Sequence, residues 1–262
     1  MPKQPDFLLR CVSGRALYCG LLVALTVALV AIEDVAAGNR GPAIFAKLGT
    51  NRQSTRFGRV KRMRPECCPC ANQAADNEPA WRPLFDGKSL AGWTITNFGG
   101  EGEVTVEAGK ILMAMGSSLT GITYKGSMPK SDYEIRLEAM RTAGIDFFAG
   151  LTFPVGESHC SFIASGWAGA IVGLSSIDGQ DASDNETTQF MNFKDYQWYR
   201  FRVRVTDEAI QVWIDDKQVI DQNIVGRKIT TRAEVDLSKP LGISAWETSS
   251  ALRNIEIREL AK

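Results

Sequence analysis

His159 is the only histidine in the chain. An imidazole, with an unperturbed pKa near neutrality, is the side chain best suited to take and return a proton at physiological pH. It sits between Glu157 and Cys160 in ESHCSF, at the start of a segment with strand character. A little further on, GLSSIDGQDASDNETT (Gly173 to Thr188) gathers Asp178, Asp181, Asp184, Asn185 and Glu186 around Gly179. Oxygens at that density could bond polar hydroxyls or hold a calcium ion, although the acids lack the fixed order of an EF-hand loop. Asp181, Asn185 and Glu186 are the candidates for ligand contact, and a solvated connection is the competing reading. No motif requires a cofactor, and calcium is the ion this loop suggests. Asn185-Glu186-Thr187 also matches a glycosylation sequon, which has meaning only in a eukaryotic secretory pathway.

Trp167 in SGWAGA is flanked by small residues that let a ligand approach its face, with core packing as the alternative. Trp246 in ISAWETSS precedes a turn and is a second candidate platform. Trp198 and Trp213, at strand positions, are expected in the core. In EIRLE, Glu134 and Glu138 alternate around Arg136. A cation between two carboxylates favours their charged forms and opposes the raised pKa that a general acid needs, so this strand reads as a cross-strand ion ladder.

These side chains must be positioned by strands. From Trp81 the chain is a succession of short alternating segments separated by Gly, Asn and Asp, among them EVTVEA, DYEIRLEAM, DFFAGLTF, GAIVGLSS and LRNIEIREL. Period-two alternation without long helical patterns defines an all-β sandwich or barrel. In WYRFRVRV, Tyr199, Phe201, Val203 and Val205 form an apolar face while Arg200, Arg202 and Arg204 alternate with them. In AIQVWIDDKQVID two strands meet at the polar hairpin Asp215-Asp216-Lys217. The array from 81 to 262 fits a single two-sheet jelly roll better than two domains, and places the acidic loop on its rim, where binding residues concentrate.

What precedes it has another character. Lys3, Arg10 and Arg15 lead into the apolar run Ala16 to Ile32, followed by Val35-Ala36-Ala37, the pattern of a signal peptide cut after Ala37. The run approaches the length of a membrane span, so a single-pass anchor is the alternative over residues 1–37. Export would place the protein in the periplasm, the envelope or the medium and would permit disulfides. Residues 38–80 form a basic, cysteine-containing linker: Gly38 to Pro65 carries eight Lys or Arg and no acid, and CCPC supplies Cys67, Cys68 and Cys70. Three adjacent thiols are a poor zinc set, and a disulfide to another element, with Cys160 the remaining cysteine of the exported chain, is the plainer expectation. The linker reads as a solvated spacer or as a tether to an anionic envelope polymer. Nucleic acid is a poor partner, because the basic stretch lacks interleaved stacking aromatics and the chain balances 30 basic with 30 acidic residues.

WRPLFDGKSLAGW (Trp81 to Trp93), DYEIRLEAM, WYRFRVRVTDEAIQVWIDDKQVID (Trp198 to Asp221) and the terminal LRNIEIREL resemble the 3-keto-disaccharide hydrolase domain family. The resemblance implies a concanavalin A-like lectin/glucanase jelly roll of two antiparallel sheets, related in shape to glycoside hydrolase family 16, and a carbohydrate partner. Where family 16 carries E-x-D-x-E, this chain has EIRLE. The implied chemistry is elimination: a ketone at C3 of the sugar acidifies the C2 proton, a base removes it, the C1 group departs, and water adds back. That route needs a base and a group to stabilise the enolate, and His159 with a carboxylate such as Asp178 could fill those roles. The middle of the chain, DFFAGLTFPVGESHC onward, departs from the family's open, glycine-rich strand. A non-catalytic carbohydrate-binding or cell-surface module is the alternative, and an envelope structural protein docking through the linker is a third.

Overall fold

The computed structural model describes residues 79–261. The apolar leader, the basic stretch and CCPC lie outside the described residues, and with them the expected cleavage, anchoring and tethering.

Alternation becomes strands in chain order: β1 Arg82–Pro83, β2 Trp93–Ile95, β3 Val104–Glu107, β4 Lys110–Met113, β5 Leu119–Tyr124, β6 Tyr133–Gly144, β7 Ala149–Val155 and β8 Ser158–Ser165. After a single tight turn, Gly166–Gly169, come β9 Ile171–Ser175, β10 Gln189–Phe190, β11 Tyr199–Val205, β12 Ala209–Ile214 and β13 Lys217–Asn223. A 3-10 segment, Ala233–Ser238, leads to β14 Gly242–Trp246 and β15 Thr248–Glu259. The first sheet runs β13-β12-β11-β6-β15-β4-β3, with β1 also on β15, and the second runs β10-β9-β8-β7-β14-β5-β2. Every pairing is antiparallel, and the two sheets form the expected jelly-roll sandwich.

The core is the meeting of two inner faces. Ile135, Leu137, Phe201, Val203 and Ile257 from the first sheet face Leu151, Phe153, Phe162, Leu174 and Ile243 from the second, all buried. Phe148, Phe162, Phe193, Tyr199 and Phe201 share edge and tilted ring contacts, from 4.9 Å between Phe193 and Tyr199 to 6.5 Å between Phe193 and Phe201. Cys160 belongs to this core: it is a free thiol, fully buried, and its Sγ lies 3.8 Å from the Ser175 carbonyl oxygen. Cys160 is thus in no disulfide, and the expected bridge from CCPC, whose partner the sequence left open, lies outside the described residues.

The outer face of the first sheet is the ion ladder that EIRLE predicts. Glu134 is fully buried beneath three arginines: Arg202 and Arg204 donate to Oε1 at 2.8 and 2.6 Å, and Arg258 to Oε2 at 2.6 Å. Glu138 accepts from Arg253 and Asn254, and Arg136 bonds Glu256. Trp213 and Trp198 are not core residues. Arg202 stacks 3.7 Å above the Trp213 ring, Arg253 lies 4.0 Å above Trp198, and Arg136 covers Trp81 at 4.1 Å. The reason is parity. Trp213 alternates with the buried Val212 and Ile214, so its side chain must point outward, where a guanidinium shields its face.

Candidate functional site

The outer face of the second sheet is built differently. Strand parity puts His159, Ser161, Ile163 and Ser165 of β8 on the face opposite the buried Cys160, Phe162 and Ala164. Register then lays out rows across the sheet: Gly121, Ser244, Gly150, Ile163 and Gly173 form one, and Thr123, Gly242, Thr152, Ser161 and Ser175 the next. Glycines and hydroxyl residues leave this face low, so another group can lie close to the backbone. The Phe147 ring occupies some of that space, since a Cβ on Gly150 would stand 2.9 Å from Phe147 Cε2. Ser244, between two glycines, keeps a buried hydroxyl with no hydrogen-bond partner.

Over this floor opens a cleft of about 220 Å³ lined by Leu119, Ser161, Ile163 and Ser175 from the sheet and by Asp146, Phe147, Trp167 and Trp246 around one end. Arg232, Glu234 and Val235, at the start of the 3-10 segment, form the remaining wall. Trp167 is presented by a left-handed turn, in which Trp167 (φ 49°) and Ala168 (φ 62°) both adopt a conformation unusual for residues with a Cβ. Asp146 secures the turn: Oδ2 accepts from the Ala168 amide at 2.9 Å while Oδ1 accepts from the Phe147 amide at 2.7 Å. Two of the tryptophans singled out in the sequence thus share one cleft.

The acidic loop stands behind that wall. Asp181 accepts from Ser175 and Ser176 through Oδ1, and its other oxygen is bound by Arg232. Arg232 in turn donates from Nη2 to Glu234 Oε1 at 2.7 Å. That bond and the arginine's charge hold the Glu234 carboxyl below the usual glutamate range. Asp181 therefore reaches the cleft through Arg232. Asp178 and Glu186 are turned to Arg227 instead, with Asp178 also accepting from the Lys228 amide at 2.7 Å. Asn185 is buried and ties the loop to itself: its amide nitrogen donates to the Leu174 and Gln180 carbonyls, and Oδ1 accepts from Thr187. Among the described residues no three His, Cys, Asp or Glu side chains converge as a metal set.

His159 lies on the cleft's face of β8 but outside its lining, one position beyond Ser161 in the outward row. Burial, and then the nearby charge of Lys239, push its pKa down, against the opposing pull of Asp236. Its Nε2 is buried and without a partner, and no hydrogen bond joins it to Asp178, whose carboxylate is engaged by Arg227 and Lys228. Asp146, Arg232 and Glu234 were not singled out by sequence reasoning. The only hint was the cluster of charge in TTRAEVDLSK, a stretch with no strand period.

A family model described as a 3-keto-alpha-glucoside-1,2-lyase-like domain matches residues 80–258. The chain belongs to this family. The match spans nearly all of the described sandwich, so this lyase-like domain is a carbohydrate-related one. Solved structures similar to it include a family-66 carbohydrate-binding module from Bacillus subtilis, at 16% identity and a TM-score of 0.44 over 64% of this chain and 96% of that one. Another is domain 4 of a family-43 extracellular arabinanase from Geobacillus stearothermophilus in complex with arabinotriose, at 15% identity and a TM-score of 0.46 over 70% of this chain and 93% of that one. No curated protein matches the lyase-like domain.

Proposed function

We propose that the cleft binds a sugar carrying a ketone at C3 and cleaves its glycosidic bond by elimination followed by addition of water. The observation that carries this reading is the convergence of Trp167 and Trp246 with the Arg232–Glu234 ion pair over a floor of glycines and hydroxyls. Aromatic faces suit the C–H surface of a pyranose, and a carboxylate beside a guanidinium suits proton abstraction next to a carbonyl. Glu234 takes the proton from C2. The electron pair left on C2 forms the enolate, whose oxygen gains charge near Arg232. Collapse of the enolate expels the C1 oxygen as the aglycone, which takes a proton from water, and leaves a double bond between C1 and C2. Water then adds at C1 and a proton returns to C2, so the sum is hydrolysis. With the signal-peptide pattern of the leader, this activity would belong outside the cytoplasm.

One observation favours a second reading, a binding module: the cleft sets aromatic faces over a floor of glycines and hydroxyls, while His159, the expected base, lies outside its lining. The test incubates the full chain with 3-keto and ordinary disaccharides and follows released sugar. Release from keto sugars alone, abolished in Glu234→Gln with binding kept, supports elimination. Loss in His159→Ala but not in Glu234→Gln would move the base to His159. Binding without release from any sugar would leave the module reading.

A further inference from the structure

Leu119 of β5 and Trp246 of β14 line the cleft from one side, and Ser161 and Ile163 of β8 line it from the other. Between them runs β7, paired to β14 and β8. Its outward Gly150 is the register partner of Ser244 on β14 and of Ile163 on β8, so the floor between the two lined sides is Ser244 and Gly150. Their place in the lining is taken by Phe147. A Cβ on Gly150 would stand 2.9 Å from Phe147 Cε2 and 3.3 Å from Ser244 Oγ, so the ring and the hydroxyl border the same small space. On the other flank of Ser244 its register partner is Gly121, where a Cβ would stand 3.0 Å from Ser244 Cβ.

Ser244 is 1% exposed, and its buried Oγ has no hydrogen-bond partner. A hydroxyl shut beneath a ring forfeits the bonds it would make to water, and such a group in a native fold calls for an explanation. Alanine would fit between the same two glycines without that cost. The cover is a side chain rather than a segment. The Phe147 amide donates to Asp146 Oδ1 at 2.7 Å and its carbonyl accepts from the Trp246 amide at 3.0 Å, so the backbone is tied on both sides while the half-buried ring can change rotamer.

Resting on the sugar reading of the cleft, we propose that Ser244 is a ligand-binding residue and Phe147 its cover: the ring turns aside as the sugar enters, and a sugar hydroxyl bonds Ser244 Oγ on the floor. A serine hydroxyl both donates and accepts, which matches another hydroxyl. Glycines at 121 and 150 leave no side chain to hold a sugar ring away from the backbone. An apolar ligand would leave the serine as it is, so the gain belongs to a hydroxylated one.

The test titrates methyl 3-keto-α-glucoside into the full chain carrying Glu234→Gln, with heat of binding as the readout and melting temperature measured alongside. Adding Ser244→Ala should weaken binding about tenfold, the scale of one hydrogen bond. The melting temperature should hold or rise, since an unpartnered hydroxyl supports nothing in the free protein. Ser250→Ala, which removes another buried and unpartnered hydroxyl, on the first sheet, should leave the affinity unchanged. Phe147→Ala should tighten binding about threefold to tenfold, because the covered state no longer competes with the ligand. Wild-type affinity in Ser244→Ala, or a melting temperature that falls with it, would overturn the role of Ser244. Weaker or unchanged binding in Phe147→Ala would overturn the cover. Failure of the Glu234→Gln chain to bind the glucoside at all would overturn the sugar reading and this proposal with it.

Discussion

Arg232 and Glu234 form one ion pair at the wall of the cleft, Nη2 to Oε1 at 2.7 Å, and the arginine's other arm is held from behind by Asp181. The pair is partly exposed, so its worth lies in placement rather than in stability. If the cleft carries out the proposed elimination, Asp181→Asn should lower kcat/KM by about tenfold to a hundredfold, since a small displacement at a reacting centre is expensive. The melting temperature should stay nearly unchanged. An unaltered kcat/KM would show that Arg232 keeps its position without Asp181.

Trp246 is the register partner of Leu119, both line the cleft, and the Trp246 amide donates to the Phe147 carbonyl at 3.0 Å. Trp246→Ala is expected to weaken sugar binding about tenfold, on the order of one aromatic contact. Trp167→Ala should do the same. Isothermal titration against a shared ligand checks both, and wild-type affinity in either variant removes that indole from the site.

Glu134 has a stability prediction of its own. Burial pushes its pKa up, but hydrogen bonds from Arg204 and Arg258, with their charges, pull harder and leave it below the ordinary glutamate value. A depressed carboxyl pKa contributes stability that is present above the unfolded value and is lost as pH falls through the folded one. Unfolding in urea should accordingly become easier below about pH 4.5, the region of an unperturbed glutamate. Glu134→Ala, which strands three arginines, should cost about 3–5 kcal/mol at pH 7 and flatten that acid limb.

His159 acts in a higher window. Its folded pKa is lowered, so on acidification the unfolded chain takes up its proton first. Stability from this residue is present above about pH 6.5 and declines as pH falls through the folded value. His159→Gln should remove the slope between pH 7 and pH 5, read as denaturant midpoints across that range.

Cys160 is both shielded and hard to ionise, with burial pushing its thiol up to about 12. Iodoacetamide should leave the Cys160 peptide unmodified in the native protein and label it fully in denaturant, as mass spectrometry of the digest would show. Native labelling would mean that β8 opens readily.

Much of the sandwich was legible because alternation reports which side of a strand is buried. WYRFRVRV and EIRLE gave both the strands and the sign of each face, and register then made their charges meet. The same parity was available for Trp213, but a large aromatic reads as core until its arginine cover is known. The cleft was half legible. Trp167 announced itself by type and by small neighbours, and Trp246 by type and its place before a turn. Arg232 and Glu234 lie on a covering segment with no period, and the arginines that claim Asp178 and Asp181 lie far along the chain, 49 and 51 residues away. No local pattern encodes such a meeting.

The first sheet's tryptophans carry a last consequence. A broad β surface bearing naked indoles would adhere to its own copies as concentration rises. With guanidinium groups lying over Trp81, Trp198 and Trp213, a second molecule instead meets alternating positive and negative groups that are already satisfied by one another. The outer face of the first sheet thus offers a neighbour paired charge in place of bare ring faces.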